Sequence, residues 1–248
     1  MILITGASSG IGKSCAEIFG HAKQSLILIA RRKERLHELK LKLEAEHGID
    51  VHCFELDISQ PLEVEKFAEQ NKTLLTKVTV LINNAGLAKG LSPLQEGNWK
   101  EWDQMIDTNL KGLLYITHCI LPHFTEKKRG HIINIGSVAG RWTYPKGNIY
   151  CATKSAVKSL TEALRMDLSG MGIRVTEIAP GMVETEFSLV RLGDPEKAKA
   201  VYSGIQPLTP EDIAKIVNWC VQQPPHVNIQ EVVVYPTDQA SPTVVNRK

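Results

Sequence analysis

The sequence predicts one α/β domain whose parallel sheet is covered by helices on both faces. Short apolar runs alternate with longer amphipathic stretches along the whole chain. Most of the apolar runs are continuous, which is typical of strands buried on both faces of a parallel sheet. The length of 248 residues suits one such domain, and no shift in composition divides the chain. We therefore expect a single domain over residues 1–248.

The first half of the chain predicts four strands with helices between them. The predicted strands are Met1–Thr5, Ser25–Ala30, Val51–Leu56 and Val78–Ile82. A first helix covers Lys13–Ala22, and a second covers Lys33–Glu46, where leucines recur at helical spacing. A third helix follows Ser59-Gln60-Pro61, with Ser59 as the expected N-cap and Pro61 in the first turn.

The second half continues this alternation after a loop rich in Gly and Pro at Gly86–Gly97. The predicted helices are Asn98–Thr108, Asn109–Lys127, Asn148–Ser169 and Pro210–Gln223, and the predicted strands are His131–Ile135, Arg174–Ala179 and Glu231–Tyr235. Thr209 is the expected cap of the last helix. The segment 180–207 is irregular or part helical and is predicted to be a lid over a substrate, and the polar C-terminal tail 236–248 is predicted to be partly mobile in a monomer.

The composition argues against several classes of function. A net charge of +2 is too small for a nucleic-acid surface, and no apolar run approaches the ~20 residues of a membrane span. The five cysteines form no Cys-x-x-Cys pair, and the eight histidines show no metal-ligand spacing. We expect a soluble cytoplasmic protein that enters its first strand without a leader and binds no metal, nucleic acid or membrane.

A glycine turn joins the first predicted strand to the first helix. Its pattern is Gly6-x-x-x-Gly10-x-Gly12, a variant of the spacing in dinucleotide-binding turns. Glycines permit positive φ and let backbone amides approach a pyrophosphate at a helix N-terminus. The position of the turn predicts a dinucleotide site of the Rossmann type.

The end of the second strand predicts which dinucleotide binds. An NAD enzyme usually carries an acid there for the ribose hydroxyls, but this chain has Ala30-Arg31-Arg32-Lys33. An arginine fork suits a 2′-phosphate, so we predict NADP as the cofactor. After the third strand, Asp57 either accepts from an adenine amino group or caps the next helix. Asn83-Asn84-Ala85-Gly86 suits the ribose and nicotinamide side.

Three side chains around the fifth strand predict the chemistry. Tyr150 and Lys154 are four residues apart, so a helix places them on one face. A phenol titrates near ~10, and a cation beside it favours phenolate, which would suit a general acid or base. Ser137 follows the strand and is expected to hold a substrate oxygen beside the phenol.

Together these motifs resemble the short-chain dehydrogenase/reductase family. The matching residues are Thr5–Gly12 (TGASSGIG), Asn83–Gly86 (NNAG), Asn109, Ser137, Tyr150-x-x-x-Lys154 and Pro180-Gly181, in the family's order and spacing. Within the family the chain resembles the NADP-dependent 3-hydroxy acid dehydrogenases, also described as serine or L-allo-threonine dehydrogenases. The resemblance implies a single-domain Rossmann fold with a doubly wound, seven-stranded parallel sheet.

The resemblance also implies the roles of individual residues. Tyr150 is the acid/base, Lys154 lowers its pKa and binds the nicotinamide ribose, Ser137 orients the substrate, and Asn109 holds a water that links Lys154 to solvent. The implied cofactor-binding residues are Gly6, Ser8, Ser9, Gly10, Ile11, Gly12, Arg31, Arg32, Asp57, Ile58, Asn84, Ala85, Gly86, Tyr150, Lys154, Pro180, Gly181, Val183 and Thr185.

The carboxylate of a 3-hydroxy acid needs a cation, and the sequence offers Arg141, Arg191 and Lys146. We favour Arg191, because closure of the lid would carry it over the bound acid. Trp142 and Tyr144 either wall the pocket or serve packing.

We expect interconversion of small 3-hydroxy and 3-oxo acids of the serine, L-allo-threonine or 3-hydroxypropionate type. The alternatives are a reductase of other small carbonyls, sugars or steroid-like ketones, and a regulator that senses NADPH without turnover. Family members commonly pair two helices across a two-fold axis, and apolar residues on several sides of helices 109–127 and 148–169 favour a homotetramer or dimer.

Overall fold

A seven-stranded parallel sheet forms the centre of the computed structural model, which describes residues 1–248. Its strands are β1 (Ile2–Thr5), β2 (Leu26–Ala30), β3 (Val51–Glu55), β4 (Val80–Asn83), β5 (Gly130–Ile135), β6 (Ile173–Pro180) and β7 (Glu231–Val234). Their order is β3-β2-β1-β4-β5-β6-β7, and every neighbouring pair is parallel. The predicted fold class is confirmed, and the carboxyl ends of all seven strands lie at one edge of the sheet.

Helices cover both faces of this sheet. They are α1 (Gly10–His21), α2 (Lys33–His47), α3 (Pro61–Gln70), α4 (Lys72–Leu75), α5 (Trp99–Ile106), α6 (Leu113–Lys127), α7 (Asn148–Asp167), α8 (Phe187–Leu192), α9 (Pro195–Ala200) and α10 (Pro210–Gln222). Short 3₁₀ turns lie at Leu94–Glu96 and Val138–Gly140. None of these helices has the length and apolar character needed to cross a bilayer.

The continuous apolar strands follow from burial on both faces. In β2, Leu26 and Leu28 join one core cluster, whereas Ile27 and Ile29 join a second cluster on the other face. Alternate side chains of a strand point to opposite faces, so a strand covered on both faces has no solvent-facing position to fill with a polar residue.

The strand order reverses direction between β1 and β4. From β1 the chain proceeds outward to β2 and β3, and it then crosses back to β4 on the other side of β1. The connections diverge at this point and leave a crevice at the carboxyl ends of the strands, where open α/β sheets bind ligands. The loops after β1 and β4 start at Gly6 and Asn84 and are therefore neighbours.

Some predicted helix boundaries differ from the structure, and α1 begins at Gly10 rather than at Lys13. Gln60, rather than Ser59, occupies the N-cap position of α3, because the Ser59 hydroxyl donates to Asp57 Oδ1 at 2.7 Å. The two helices predicted to meet at Asn109 form one continuous helical stretch, in which a π-helical turn at Asp107–Gly112 joins α5 to α6. π-Helical turns are rare, and they are frequent at functional sites.

The lid segment contains α8 and α9, as its partly helical pattern predicted, and the C-terminal tail packs against it. Arg247 Nη2 donates to Val201 O at 3.1 Å, and the backbone amide of Lys248 donates to Gly204 O at 2.8 Å. The tail was predicted to be partly mobile, but these long-range contacts fasten its end to the lid. The predicted cap of α10 is present, because Thr209 and Asp212 form a capping box.

Candidate active site

A cavity of about 630 Å³ opens at the carboxyl edge of the sheet, between the strand ends and the lid. Most of the residues that the sequence nominated line this cavity. They are Gly6, Ser8, Ser9, Gly10, Ile11, Arg31, Arg32, Asp57, Ile58, Asn84, Ala85, Gly86, Ser137, Tyr150, Lys154, Pro180, Gly181, Val183, Thr185 and Arg191. The nominated residues Gly12, Asn109 and Arg141 do not line it, and neither do the further candidates Trp142 and Lys146.

The glycine turn is shaped by close approaches that exclude side chains. Gly6 and Gly10 have φ of 66° and 51°, in the left-handed region that favours glycine. A Cβ at Gly12 would lie 2.5 Å from both Gly6 O and Asn84 Nδ2. The turn leads into the N-terminus of α1, whose first backbone N–H groups have no partner within the helix and suit a phosphate.

Asn84 braces this turn from the neighbouring strand. Its side-chain amide donates to Thr5 O at 3.0 Å and to Gly6 O at 3.2 Å. The Thr5 hydroxyl accepts from the backbone amides of Asn84 and Ala85, each at 3.0 Å. The Asn84 amide nitrogen therefore holds the two loops at the β1–β4 crevice together.

The two arginines after β2 lie in different surroundings. Arg31 is largely exposed, and its nearest acid is Asp57, with 3.8 Å between Nη1 and Oδ2. Arg32 folds over the glycine turn, where Nε donates to Ser8 Oγ at 3.1 Å and Nη2 donates to Ser9 Oγ at 2.6 Å. This group of two guanidiniums and two hydroxyls is a donor set for a phosphate group.

Asp57 takes part in a local turn. Its Oδ1 accepts from both the amide and the hydroxyl of Ser59, at 3.0 and 2.7 Å. The second oxygen, Oδ2, has no hydrogen bond of its own and faces the side of Arg31. The two roles considered from the sequence are therefore compatible, since one oxygen forms the turn and the other is left for a ligand.

Tyr150 is 9% exposed and lies on the cavity wall near Phe187, with 5.4 Å between the ring centroids. Burial raises the pKa of its phenol above the ordinary value, and the neighbouring Tyr144 adds to this effect. Ser137 and Arg191 act in the opposite direction and favour the phenolate.

Lys154 lies one turn from Tyr150 on α7, and both residues line the cavity. Nζ donates to Ile135 O at 2.8 Å and lies 6.0 Å from the centroid of the Tyr150 ring. Burial lowers the pKa of Lys154 to about 8, and the charge of Glu177 partly offsets this. The charge of Arg191 is one of the influences that lower the pKa of Tyr150.

Asn109 lies in the π-helical turn behind the cavity. Its Oδ1 accepts from the amide of Leu87, and its Nδ2 donates to Leu87 O, both at 2.8 Å. Nδ2 also donates to Thr153 Oγ1 at 3.1 Å. A Cβ on Gly86 would lie 3.3 Å from Asn109 Oδ1 and 3.5 Å from Lys154 Nζ, so both polar groups lie beside this glycine.

Arg141 was a candidate for the substrate carboxylate, and the structure contradicts that role. Its side chain is 7% exposed, and it donates to Glu177 at 2.9 and 3.1 Å and to Glu231. Nη1 also donates to Ser137 O at 3.2 Å. With its charge matched by two carboxylates, Arg141 supports the loop that carries Ser137 from behind.

Arg191 lies inside the cavity and has only uncharged partners. Nε donates to Gly90 O at 3.1 Å, and Nη1 donates to Tyr144 Oη at 2.9 Å. The centre of its guanidinium lies 5.7 Å from the centroid of the Tyr150 ring. Of the other candidates, Lys146 is exposed and lies outside the cavity. Trp142 packs near Tyr235, with 6.3 Å between the ring centroids. Tyr144 walls the cavity.

Some cavity residues were missed by sequence reasoning because their contacts are remote in the chain. Gln239 of the tail is 4% exposed, and its Oε1 accepts from the amide of Met182 at 2.9 Å. Tyr202 donates to Val183 O at 2.9 Å, and Glu186 pairs with Arg32 at 2.7 Å. For Glu186 a signal existed in the sequence, namely an acid in a lid predicted to close over a basic cofactor site.

The geometry as a whole fits a bound dinucleotide and a small polar substrate. The glycine turn offers a pyrophosphate cradle, the two arginines offer a phosphate site at the β2 end, and the far end holds Ser137, Tyr150 and Lys154. No group of three or more His, Cys, Asp or Glu side chains is arranged to hold a metal ion.

Comparison with known proteins extends this assignment. The sequence profile of the short chain dehydrogenase family matches residues 1–191. Sulfoacetaldehyde reductase 2 of Chromohalobacter salexigens is 44% identical over 97% of this chain and 95% of its own. NADP-dependent 3-hydroxy acid dehydrogenase of Salmonella typhi is 44% identical over 97% of this chain and 96% of its own.

A solved structure gives the same result at the level of the fold. The closed form of serine dehydrogenase complexed with NADP+ superimposes with a TM-score of 0.92 at 41% identity, covering 96% of each chain. The relatives thus include proteins that are NADP-dependent by name or that were solved with NADP+. On the family profile, these near full-length relatives and the shared architecture, the chain belongs to the short-chain dehydrogenase family and is an oxidoreductase.

Proposed function

We propose that the protein is an NADP-dependent oxidoreductase that interconverts small 3-hydroxy acids and 3-oxo acids. The observation that carries the proposal is Arg191, a guanidinium inside the cavity near Tyr150 whose only partners are uncharged oxygens. A cation so placed favours a substrate whose anionic group lies a short distance from the reacting carbon.

The choice of NADP is supported by the end of β2. Arg31 and Arg32 occupy the positions where an acid for the ribose hydroxyls would otherwise be expected, and the Ser8 and Ser9 hydroxyls lie beside Arg32. Two similar proteins point the same way, one described as NADP-dependent and one solved with NADP+.

Tyr150 is proposed to exchange the proton of the substrate hydroxyl. When bound, the nicotinamide takes up or supplies the hydride. Ser137 lies beside the phenol and is proposed to orient the substrate oxygen, so that the proton moves directly between substrate and phenol. The phenol is buried, and the guanidinium of Arg191 and the hydroxyl of Ser137 favour its ionised form.

Lys154 and Asn109 are proposed to connect the phenol to solvent and to the ribose of the cofactor. With a pKa of about 8, the Lys154 ammonium can exchange a proton near neutral pH. Asn109 Oδ1 and Lys154 Nζ both face the space beside the Cα of Gly86, and a water molecule is proposed to join the two groups there. Residues 180–207 are proposed to close over the nicotinamide.

Small sulfonates are a second substrate class, favoured by the similarity to sulfoacetaldehyde reductase 2. In a 3-hydroxy acid and in sulfoacetaldehyde alike, a single carbon separates the reacting carbon from the anionic group. A site that binds the anion through Arg191 and the oxygen through Ser137 and Tyr150 would accept both shapes. A reductase of uncharged or steroid-like ketones remains the alternative, and it would not need Arg191.

The test is a panel of alcohols measured by NADPH formation. L-allo-threonine, serine, 3-hydroxypropionate and 2-hydroxyethanesulfonate are compared with 1-propanol, and each is repeated with NAD. We expect kcat/KM for at least one anionic alcohol to exceed that for 1-propanol more than tenfold, with NADP preferred. Equal rates for charged and uncharged alcohols would reject the substrate class, and binding of NADPH without any turnover would favour a regulator.

We also propose a homotetramer or dimer in a reducing cytoplasm. Leu114 on α6 and Met166 on α7 are apolar and exposed, at 39% and 68%, which supports burial of these helices against a second copy. All five cysteines are free. Sedimentation velocity of the purified chain tests the assembly, and a single monomer peak at micromolar concentration would reject it.

A further inference from the structure

Glu186, a carboxylate of the lid, contacts Arg32 and Arg35 at the start of α2. Glu186 directly precedes α8, and its Oε2 accepts from Arg32 Nη1 at 2.7 Å. Its Oε1 accepts from Arg35 Nη1 at 2.6 Å. The lid is therefore fastened to the β2–α2 junction by one carboxylate shared between two guanidiniums.

Arg32 donates a hydrogen bond to the lid and also lies where the cofactor phosphate is proposed to bind. Each of its three nitrogens already donates to protein, to Ser8, Ser9 and Glu186. The guanidinium has five N–H groups, of which these bonds use three, and a phosphate held by paired N–H groups would draw on nitrogens that already donate to these partners. A phosphate monoester carries about −1.5 to −2 charges, more than a carboxylate, and Glu186 is the anionic partner of Arg32 that it would displace.

Arg35 gives Glu186 a second partner. Both ion pairs are partly exposed to solvent, with side-chain exposures of 39–47%, so they can exchange partners without a large loss of stability. Hydrogen bonds from Arg35 and Arg32 lower the pKa of Glu186 to about 2. The carboxylate therefore stays charged at neutral pH and remains a competitor for Arg32.

We propose that Glu186 tethers the lid to the cofactor site and competes with the 2′-phosphate of NADP for Arg32, while Arg35 keeps the lid tethered after Arg32 turns to the phosphate. This inference rests on the proposed use of NADP. It assigns Glu186 and Arg35 as positioning residues that act through Arg32 and adjust the selectivity between NADP and NAD.

The experiment measures equilibrium dissociation constants for NADP and NAD without substrate, by calorimetry. Glu186→Gln is expected to bind NADP about threefold more tightly than the native chain, because one exposed charged competitor is removed. Binding of NAD, which has no 2′-phosphate, should stay within twofold. Glu184→Gln is the matched control, since Glu184 is an exposed acid of the same segment without an ion pair, and neither constant should change.

A double-mutant cycle separates the tether from direct phosphate binding by Arg35. Arg35→Met is expected to weaken NADP binding about threefold, because Glu186 is left with Arg32 alone. In the Glu186→Gln background, Arg35→Met should have no further effect. An equal loss in both backgrounds would show that Arg35 touches the phosphate itself and would overturn its assigned role.

Hydrogen exchange tests the tether independently of binding. Without cofactor, the backbone amides of residues 187–193 should exchange several-fold faster in Glu186→Gln than in Glu184→Gln. Unchanged exchange, or equal changes in NADP and NAD affinity, would overturn the inference. A native chain that binds NAD as tightly as NADP would reject the proposed cofactor instead, so the two failures are distinguishable.

Discussion

The two walls of the cavity are held in different ways. On the sheet side, Asn109, Ser137, Tyr150 and Lys154 are buried, and Asn109 and Lys154 bond to backbone atoms at 2.8 Å. On the lid side, the charged residues Glu186 and Arg191 are only partly buried. Arg191 reaches Tyr144 and the loop at Gly90, and Glu186 is shared between two arginines.

This difference separates fixed groups from exchangeable ones. A buried group bonded to the backbone cannot leave its partner without exposing an unsatisfied donor or acceptor, which is costly. A half-exposed ion pair can be replaced by water or by a ligand at little cost. The proposed chemistry therefore lies on the fixed wall, whereas the proposed recognition of charged ligand groups lies on the exchangeable wall.

The largest expected effect is on the fixed wall. Tyr150→Phe removes the proposed acid/base, and kcat should fall by about a thousandfold, within the range for general acid–base catalysis. The dissociation constant for NADP should stay within about threefold. Steady-state kinetics and calorimetry measure the two quantities.

The lid phenol Tyr202 is the control for that substitution. Its hydroxyl contacts Val183 O and Ser188, and Tyr202→Phe should change kcat by much less than tenfold. Near-normal kcat in Tyr150→Phe, or an equal loss of kcat in both variants, would contradict the assignment of Tyr150 as acid/base. Either result would also contradict the placement of the chemistry on the sheet-side wall.

Arg141→Met removes the buried ion pairs with Glu177 and Glu231 that lie behind the sheet-side wall. The substitution leaves Glu177, which is 2% exposed, without its cation, and it should destabilise the protein by about 3–5 kcal/mol. Urea denaturation measures the loss. Adding Glu177→Met should recover much of it, because no unpaired charge then remains buried at that position.

Lys158→Met is the control for an exposed pair. Lys158 bonds to Glu162 one turn away on α7, with both side chains partly exposed, and its loss should cost about 0.5 kcal/mol or less. An equally small loss for Arg141→Met would show that the buried network behind Ser137 does not support the wall.

Arg191→Met tests the exchangeable wall. Loss of a charged hydrogen-bond partner, worth about 1.5–3 kcal/mol, should raise KM for the preferred 3-hydroxy acid roughly tenfold to a hundredfold. KM for 1-propanol should change less than twofold. Lys146→Met, an exposed cation outside the cavity, should change neither value. An equal rise for the charged and the uncharged alcohol would contradict binding of the anion by Arg191.

As pH falls, the stability of the sheet around His131 should decrease before Glu186 of the lid loses its charge. Burial lowers the pKa of His131 on β5 from 6.5 to about 3, so the unfolded chain binds more protons within that window. Stability should therefore fall as pH drops from 6.5 toward 3, by at most about 1.4 kcal/mol per unit from this group. Glu186, with a pKa of about 2, remains charged through most of the same window.

The slope of unfolding free energy against pH, measured between pH 6 and 5, checks this effect. His131→Gln should make the slope shallower than in the native chain, whatever its effect on stability at pH 7. His123→Gln is the control, since His123 is less buried and its pKa is lowered by a smaller amount. An unchanged slope in His131→Gln would show that His131 does not set it.

Several features could be predicted because their signals are local. The strands and the glycine turn follow from apolar runs, glycine spacing and strand ends, and the α10 cap follows from Thr209 and Asp212, which are three residues apart. Even so, local signals erred at Ser59, whose hydroxyl bonds to Asp57 instead of capping α3. At Asn109 a predicted helix boundary proved to be a π-helical turn held by contacts with Leu87 and Thr153.

The sequence by itself determined a parallel sheet covered on both faces and the glycine turn at its carboxyl edge, because periodicity and turn chemistry act between near neighbours. The doubly wound order and most of the cofactor-site residues followed from the resemblance to a family. Only the tertiary structure decided what each charged group does. Arg141 and Arg191 look alike in the sequence, but Arg141 meets Glu177 and Glu231, which lie 36 and 90 residues away. Whether a guanidinium is neutralised or left for a ligand depends on which carboxylates folding brings within a few ångströms, and no local pattern records that.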